Sequence, residues 1–166
     1  MILFYGMGGG FGHLTRIQAF IKTYKIKKPY LILTANPSAN SFFRADQLLW
    51  MDTNKDTTKE ELAEKIRQTT STLHFDHLYI DTFPQGILGE LTRGLIKTDQ
   101  THYLVRRLIW TNYKGQVNEE VQFDKVYRFE TLEFDHQEFL NTCSKEIIDA
   151  SLAYTSPDNS FTHSSF

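Results

Sequence analysis

The sequence is poor in cysteine and lacks long hydrophobic runs, and both shortages exclude classes of protein. Cys143 is the only cysteine, so the chain has no internal disulfide and no cysteine pair that would hold zinc. No stretch approaches the roughly 18 consecutive apolar residues of a membrane-spanning helix. Segment 1–6 carries no basic residue, and its apolar run is too short for a signal peptide. These features favour a reducing compartment, and we expect a cytoplasmic protein.

The sequence also lacks an excess of charge of either sign. Lysine and arginine number 18 and aspartate and glutamate 20, which gives a net charge of −2. Proteins that coat nucleic acids need concentrated basic charge, so we expect no nucleic-acid partner, although a local basic pocket remains compatible with this balance. Apolar residues make up 40% and charged residues 23%, which is typical of a folded domain.

Short apolar runs alternate with segments of helical periodicity. We predict strands at 2–5, 30–34, 47–51, 77–81, 101–108 and 125–129, and helices at 14–24, 57–73, 87–95 and 139–154. A capping box, Thr57-Thr58-Lys59-Glu60, would open the second helix. This alternation predicts an α/β fold: a Rossmann-like, doubly wound, mostly parallel sheet with helices on both faces and a 3-2-1-4-5 strand order. The domain would span 1–154, and a polar tail or linker stump would follow at 155–166.

A glycine-rich loop between the first strand and the first helix is the strongest functional signal. Five of the nine glycines lie within Gly6–Gly12. Such a loop lets a ligand approach the backbone and presents N–H groups at a helix N-terminus, where the helix dipole favours an anion. We therefore predict that Gly8, Gly9, Gly10 and Gly12 bind a phosphate or diphosphate. The alternative is a tight turn without a ligand.

The glycine spacing differs from that of known nucleotide-binding loops. Phe11 or His13 stands where the dinucleotide fingerprint has its third glycine, and the second strand ends in Thr34, Ala35 and Asn36 without the acidic residue that would hold a ribose. The Gly-Lys-Ser/Thr ending of a P-loop is missing as well. The spacing therefore opposes a third hypothesis, a nicotinamide-dependent oxidoreductase.

His13 and Asp81 are the candidate catalytic residues. His13 follows the glycine loop, and Asp81 ends the strand expected beside the first one, so both should reach the crevice at the carboxyl ends of the strands. Histidine is the usual base at neutral pH, and a carboxylate that orients its imidazole would complete a base dyad. The alternatives are that His13 caps the loop and that Asp81 caps a helix near Pro84 and Gln85.

Other residues near the motif are candidates for substrate binding. Thr15 and Arg16 continue it, and Arg16 would pair with a phosphate or with Glu90. Arg106 or Arg107 should point into the same crevice, since both lie at the end of another predicted strand. The alternative for these arginines is solvated charge, which we favour for Arg107.

Aromatic and basic residues farther along the chain have two interpretations each. Trp110 and Tyr113 would stack on a sugar or cover a lipid-linked acceptor, or else belong to the core. The basic cluster at 25–28 is a solvated helix end or a peripheral contact with anionic lipid. We expect the remaining histidines at the surface or at edges, namely His74, His77, His102, His136 and His163.

Two segments resemble one group of enzymes. Gly8-Gly9-Gly10-Phe11-Gly12-His13-Leu14-Thr15-Arg16 is similar to the N-terminal loop of the GT-B glycosyltransferases related to MurG, diacylglycerol galactosyltransferases and UDP-glucuronosyltransferases. The form of this loop is especially similar to a set of predicted bacterial glycosyltransferases. Asp81-Thr82-Phe83-Pro84-Gln85-Gly86 resembles a second stretch of the same set. Together the two motifs cover about fifteen residues.

The resemblance implies the acceptor-side half of a glycosyltransferase. GT-B enzymes have two Rossmann-like halves with the nucleotide-sugar mainly on the C-terminal half, and this chain has the size of the N-terminal half. By resemblance, Gly9, Gly10, Gly12 and His13 face the cleft, and His13 takes the proton of the acceptor hydroxyl. A nucleotide-sugar is implied as co-substrate, with no other cofactor and no metal, and the donor half would come in cis or in trans. A truncated chain, a natural split protein and a remnant remain open. The rival hypothesis is a non-catalytic module that binds a phosphate ligand or scaffolds a partner.

Overall fold

A computed structural model of the chain describes residues 1–118 and 120–154. The polar tail predicted at 155–166, with His163, therefore lies outside the described residues.

A seven-stranded, entirely parallel sheet organises the fold. Its order is β3-β2-β1-β4-β5-β6-β7, which confirms the predicted doubly wound order and extends it by two strands. The strands are β1 Ile2–Tyr5, β2 Tyr30–Thr34, β3 Leu48–Trp50, β4 Phe75–Asp81, β5 Thr98–Val105, β6 Lys125–Arg128 and β7 Ile147–Asp149. Because all strands run in one direction, their carboxyl ends share one edge of the sheet.

Helices cover both faces of the sheet, as predicted. They are α1 Phe11–Thr23, α2 Lys59–Thr70, α3 Trp110–Tyr113 and α4 Phe134–Cys143. Short 3₁₀ turns lie at Pro37–Ser41, Ala45–Gln47 and Lys114–Gln116. Helix α1 packs on the face of Phe4, whereas α2 and α4 pack on the opposite face, that of Leu3 and Tyr5. No helix within the described residues is long and apolar enough to span a membrane.

The cap of α2 lies one residue later than predicted. Thr58, not Thr57, is the N-cap: its hydroxyl accepts from the backbone N–H of Glu61 at 3.2 Å, and the Glu61 carboxylate accepts from the Thr58 N–H at 2.9 Å. Thr57 does not cap the helix because its hydroxyl accepts from the backbone N–H of Asn54 in the preceding turn.

The helix predicted at 87–95 is wrong. Segment 82–97 has no helix, because Gly86, Gly89 and Gly94 all adopt positive φ angles between 77° and 84°, which an α-helix does not accept. Glu90 is fully buried in this loop and accepts from the Tyr5 hydroxyl and from the Leu88 N–H. The spacing of the leucines therefore reflected burial against the sheet rather than helical structure.

The helix predicted at 139–154 is also wrong in its second half. Helix α4 ends at Cys143 because its C-cap, Ser144, is extended, with φ −119° and ψ 140°. The β-branched Ile147 and Ile148 then pair with β6 as strand β7. Tyr154 is exposed and lies outside any helix.

Two histidines expected at the surface or at edges are buried in the core instead. His102 is 2% exposed and His136 is 0% exposed. His136 stacks on Trp110 with a centroid distance of 4.2 Å and an angle of 5° between the rings. Trp110 and Tyr113 are themselves buried core residues, so they do not form a platform for a sugar or a lipid.

Burial lowers the pKa of His136 and of His102 to about 4, and the charge of His77 adds to the effect on His102.

The buried histidines predict a loss of stability in acid. The unfolded chain takes up a proton at each histidine near pH 6.5, whereas the folded chain does so only near pH 4. Their contribution is therefore fully present above pH 6.5 and is lost as the pH falls toward 4. For His136 the loss approaches about 3 kcal/mol. Urea denaturation should show that the free energy of unfolding declines less between pH 7 and pH 4 for His136→Phe than for the wild type. His74→Phe, at an exposed position, should keep the wild-type decline, and parallel curves for all three proteins would contradict the account.

Candidate functional site

Strand order brings the candidate residues together at the carboxyl edge of the sheet. Strands β1 and β4 are neighbours, so the glycine loop that follows Tyr5 lies beside Asp81, the last residue of β4. His13 and Arg16 are three positions apart in the first turns of α1, a spacing that places both side chains on one face of the helix. That face is turned toward Asp81.

Asp81 is the centre of a buried polar cluster. Its carboxylate is 0% exposed. Nε of Arg16 donates to Oδ1 at 2.6 Å, and Nη2 of Arg16 donates to Oδ2 at 3.0 Å. Nδ1 of His13 lies 2.6 Å from Oδ2, and the Thr82 hydroxyl donates to the same oxygen at 3.1 Å. These contacts exclude the alternative in which Asp81 caps a helix near Pro84 and Gln85, since segment 82–97 has no helix and the carboxylate is already occupied.

Arg16 is committed to Asp81 rather than to Glu90 or to solvent. The side chain is buried, and the two residues form a bidentate pair, the geometry that arginine makes best with a carboxylate. Burial alone would lower the pKa of the Arg16 guanidinium, but the hydrogen bonds and the charge of Asp81 outweigh it and raise that pKa. Arg16 therefore carries its charge permanently and neutralises Asp81.

His13 has one nitrogen bound and one nitrogen open. A carboxylate only accepts hydrogen bonds, so Nδ1 carries the proton that faces Asp81. Within the described residues Nε2 has no hydrogen-bond partner. The ring lies against Phe83, with 5.8 Å between the ring centroids. In the neutral ring with its proton on Nδ1, Nε2 is the nitrogen that accepts a proton.

The glycines of the loop have different roles. A Cβ at Gly6 would lie 2.6 Å from Cδ1 of Ile17, so glycine there lets α1 pack on the sheet. Gly8 has a φ of +147°, and a Cβ on it would overlap the imidazole of His13. Gly9 and Gly10 have neither constraint, because a Cβ on either would meet nothing within 4 Å. The missing side chains of Gly9 and Gly10 instead leave the N-terminus of α1 open.

The end of β2 holds this loop in place. The Thr34 hydroxyl donates to the carbonyl of Gly6 at 2.9 Å, and the amide of Asn36 donates to the carbonyl of Gly10 at 3.1 Å. In a dinucleotide site this strand end would contact a ribose. Here the polar groups of Thr34 and Asn36 already bind the loop. This argues further against a nicotinamide-dependent oxidoreductase.

A cavity of about 610 Å³ opens beside His13. Both Arg106 and Arg107 line it, although only one was expected there and Arg107 was expected in solvent. Nε of Arg106 lies 3.4 Å from the Glu130 carboxylate, which also accepts from the Arg107 backbone N–H at 2.8 Å. The lining is completed by Gly10, Gly12, His13, Arg16, Thr82, Leu108, Ile109, Glu130 and Glu133.

The structure thus brings together most of the predicted site residues. Thr15 is an exception, because its hydroxyl donates to the carbonyl of Phe11 within α1 and the residue does not line the cavity. Gly8 and Gly9 do not line the cavity either, and Gly8 lies against the Nε2 edge of the His13 ring. Sequence reasoning missed Thr82, Glu130 and Glu133, of which only Thr82 carried a signal, its position directly after Asp81.

Comparison with known proteins does not assign this site. No protein-family model matches the chain, and no curated protein or solved structure matches it either. The likeness to GT-B glycosyltransferases therefore depends on the two sequence motifs alone.

Gly8 and Gly9 form a matched pair that tests the packing of His13. Gly8→Ala should destabilise the protein and displace the imidazole, because the new methyl group would overlap the ring and the backbone has a positive φ. Gly9→Ala should leave both unchanged, since its Cβ would stand in open space. Urea denaturation and the NMR signals of the His13 ring measure the two effects. Equal behaviour of the two variants would contradict the contact.

Proposed function

We propose that this chain is the acceptor-side domain of a GT-B-type glycosyltransferase. His13 would act as the general base that activates an acceptor hydroxyl. The observation that carries the proposal is the His13–Asp81 dyad at a cavity beside the glycine loop: Nδ1 of His13 contacts Asp81, and His13 lines the cavity. The two motifs support the same reaction class by resemblance.

The proposed reaction transfers a sugar with inversion. The acceptor oxygen attacks the anomeric carbon of a nucleotide-sugar, a new carbon–oxygen bond forms, and the bond from that carbon to the diphosphate oxygen breaks. Nε2 of His13 takes the proton of the hydroxyl, and the nucleoside diphosphate leaves with the electron pair of the broken bond. Asp81 would hold the ring in the reactive tautomer and stabilise the imidazolium that forms.

The glycine loop would bind an anionic part of a substrate. Gly9 and Gly10 have no packing role, so the N–H groups that begin α1 are accessible to a phosphate or diphosphate. Arg106 and Arg107 line the same cavity and would add positive charge. Glu130 and Glu133 balance part of this charge, which favours an anion with hydroxyl groups that these carboxylates accept from.

The remaining parts of the proposal come from the resemblance and from composition. The donor half would be supplied in cis or in trans, and the isolated chain would be inactive without it. The acceptor would be a small molecule or a lipid-linked acceptor, with peripheral membrane contact through Lys25, Lys27 and Lys28. The proposed location is the cytoplasm.

A non-catalytic anion-binding module is the second candidate function. It is favoured by the commitment of Arg16 to Asp81, because an ion pair of this kind also serves to fix the loop without any chemistry. In that case His13 would act only as a hydrogen-bond partner of the bound anion.

Replacement of His13 separates the two functions. In the enzyme completed with its donor half, His13→Ala should lower kcat for release of nucleoside diphosphate by about 10²–10⁴-fold, the usual effect of a lost general base. Calorimetry with a nucleoside diphosphate should show largely intact binding to this variant. His74→Ala, an exposed histidine remote from the cavity, is the matched control and should keep wild-type kinetics. Near-normal turnover of His13→Ala would overturn the base assignment.

The same calorimetry tests the glycine loop. Gly10→Val should weaken nucleoside diphosphate binding while the protein stays folded, because the side chain enters the open space at the start of α1. Gly115→Val, at an exposed position with equal space, should bind as the wild type does.

If His13→Ala abolishes binding but leaves turnover per bound substrate unchanged, the anion-binding module is the better account.

A further inference from the structure

Thr82 adopts a backbone conformation that its residue type disfavours. Its φ is +66°, in the left-handed region where a β-branched side chain is a rare outlier. Glycine or asparagine would be the usual choice at such a position. The residue stands directly between Asp81 and Phe83, at the point where β4 ends and the cavity begins.

The surroundings of Thr82 hold this conformation from all sides. Its backbone N–H donates to the carbonyl of Leu104 at 3.0 Å, and its carbonyl accepts from the Tyr103 hydroxyl at 2.6 Å. Its own hydroxyl accepts from Nη2 of Arg16 at 2.8 Å and donates to Oδ2 of Asp81 at 3.1 Å. Every polar group of the residue is therefore used. Strain of this kind persists only where neighbouring structure over-determines it, and it concentrates at functional sites.

The hydroxyl explains why threonine stands where glycine would be less strained. Oδ2 of Asp81 is contacted by the Thr82 hydroxyl, by Nδ1 of His13 and by Nη2 of Arg16. Arg16 sets the plane of the carboxylate by pairing with both oxygens, and the bridge from Arg16 through the Thr82 hydroxyl adds a further hold on Oδ2, the oxygen that faces Nδ1 of His13. The carboxylate in turn favours the proton of His13 on Nδ1. Glycine would fit the backbone but would remove this bridge.

We propose that Thr82 is a strained positioning residue, which uses its left-handed backbone to aim a hydroxyl at Asp81 and so keeps His13 in the tautomer with Nε2 open. The strained backbone conformation of Thr82 is the cost of placing its hydroxyl against Asp81. The mechanistic value of this role rests on the proposed function, whereas the positioning itself does not.

The tautomer of His13 tests the positioning directly. In ¹⁵N-labelled protein, the imidazole nitrogen shifts should report the Nδ1–H form for the wild type and for Thr82→Ser, which keeps the hydroxyl. Thr82→Gly should show a mixture of tautomers, while its melting temperature changes little because relief of strain offsets the lost hydrogen bonds. If Thr82→Gly keeps His13 wholly in the Nδ1–H form, the proposal is wrong. Should that variant fail to fold, Thr82→Val, which lacks the hydroxyl but keeps the shape, gives the same readout.

Kinetics of the completed enzyme separate this proposal from the proposed function. Thr82→Gly should lower kcat by about 10–100-fold with little change in KM, since the base is misoriented while binding is kept. Thr82→Ser, which keeps the hydroxyl, should have a kcat close to that of the wild type. A tautomer mixture in Thr82→Gly together with wild-type turnover of His13→Ala would support the positioning role and overturn the glycosyltransferase mechanism. Equal loss of kcat in the serine and glycine variants would contradict positioning through the hydroxyl.

Discussion

The buried ion pair between Arg16 and Asp81 is the constraint on which the rest of the site depends. An unpaired carboxylate at the end of β4 would be costly to bury, and the bidentate guanidinium removes most of that cost. Because Arg16 belongs to α1 and Asp81 to β4, the pair also fixes the helix against the sheet edge. The glycine loop and His13 take their positions from that attachment.

This attachment has a chemical consequence at His13. With Arg16 and Asp81 neutralising one another, the three-residue cluster has no net charge while His13 is neutral, and it becomes cationic when His13 gains a proton. The cluster therefore has no excess negative charge that would stabilise the imidazolium, whereas a histidine–aspartate pair without an arginine does. Its contribution to catalysis would be orientation of the ring together with local hydrogen bonding. Negative charge that develops at the start of α1 would help to balance the positive charge of the protonated His13 ring.

The main features of the fold and the meeting of His13 with Asp81 follow from the sequence. Apolar runs ending in Gly6 and following Pro29 define β1 and β2, and the parallel order then brings the end of β4 beside the glycine loop. Three other features were not predictable in this way. Leucine spacing at 87–95 reports burial, and only the backbone conformations of Gly86, Gly89 and Gly94 decide against a helix. The pairing of Arg16 with Asp81, where a phosphate or Glu90 was expected, and the strain at Thr82 depend on distances that no sequence pattern encodes.

A double-mutant cycle on the free energy of unfolding tests the central claim most directly. Arg16→Met and Asp81→Leu each leave one charge buried without its partner, and each should cost about 3–5 kcal/mol. The double variant has no orphaned charge and should cost far less than the sum of the two, which gives a large coupling energy. Additive losses, with the double variant as unstable as the sum of the singles, would contradict the view that this pair organises the site.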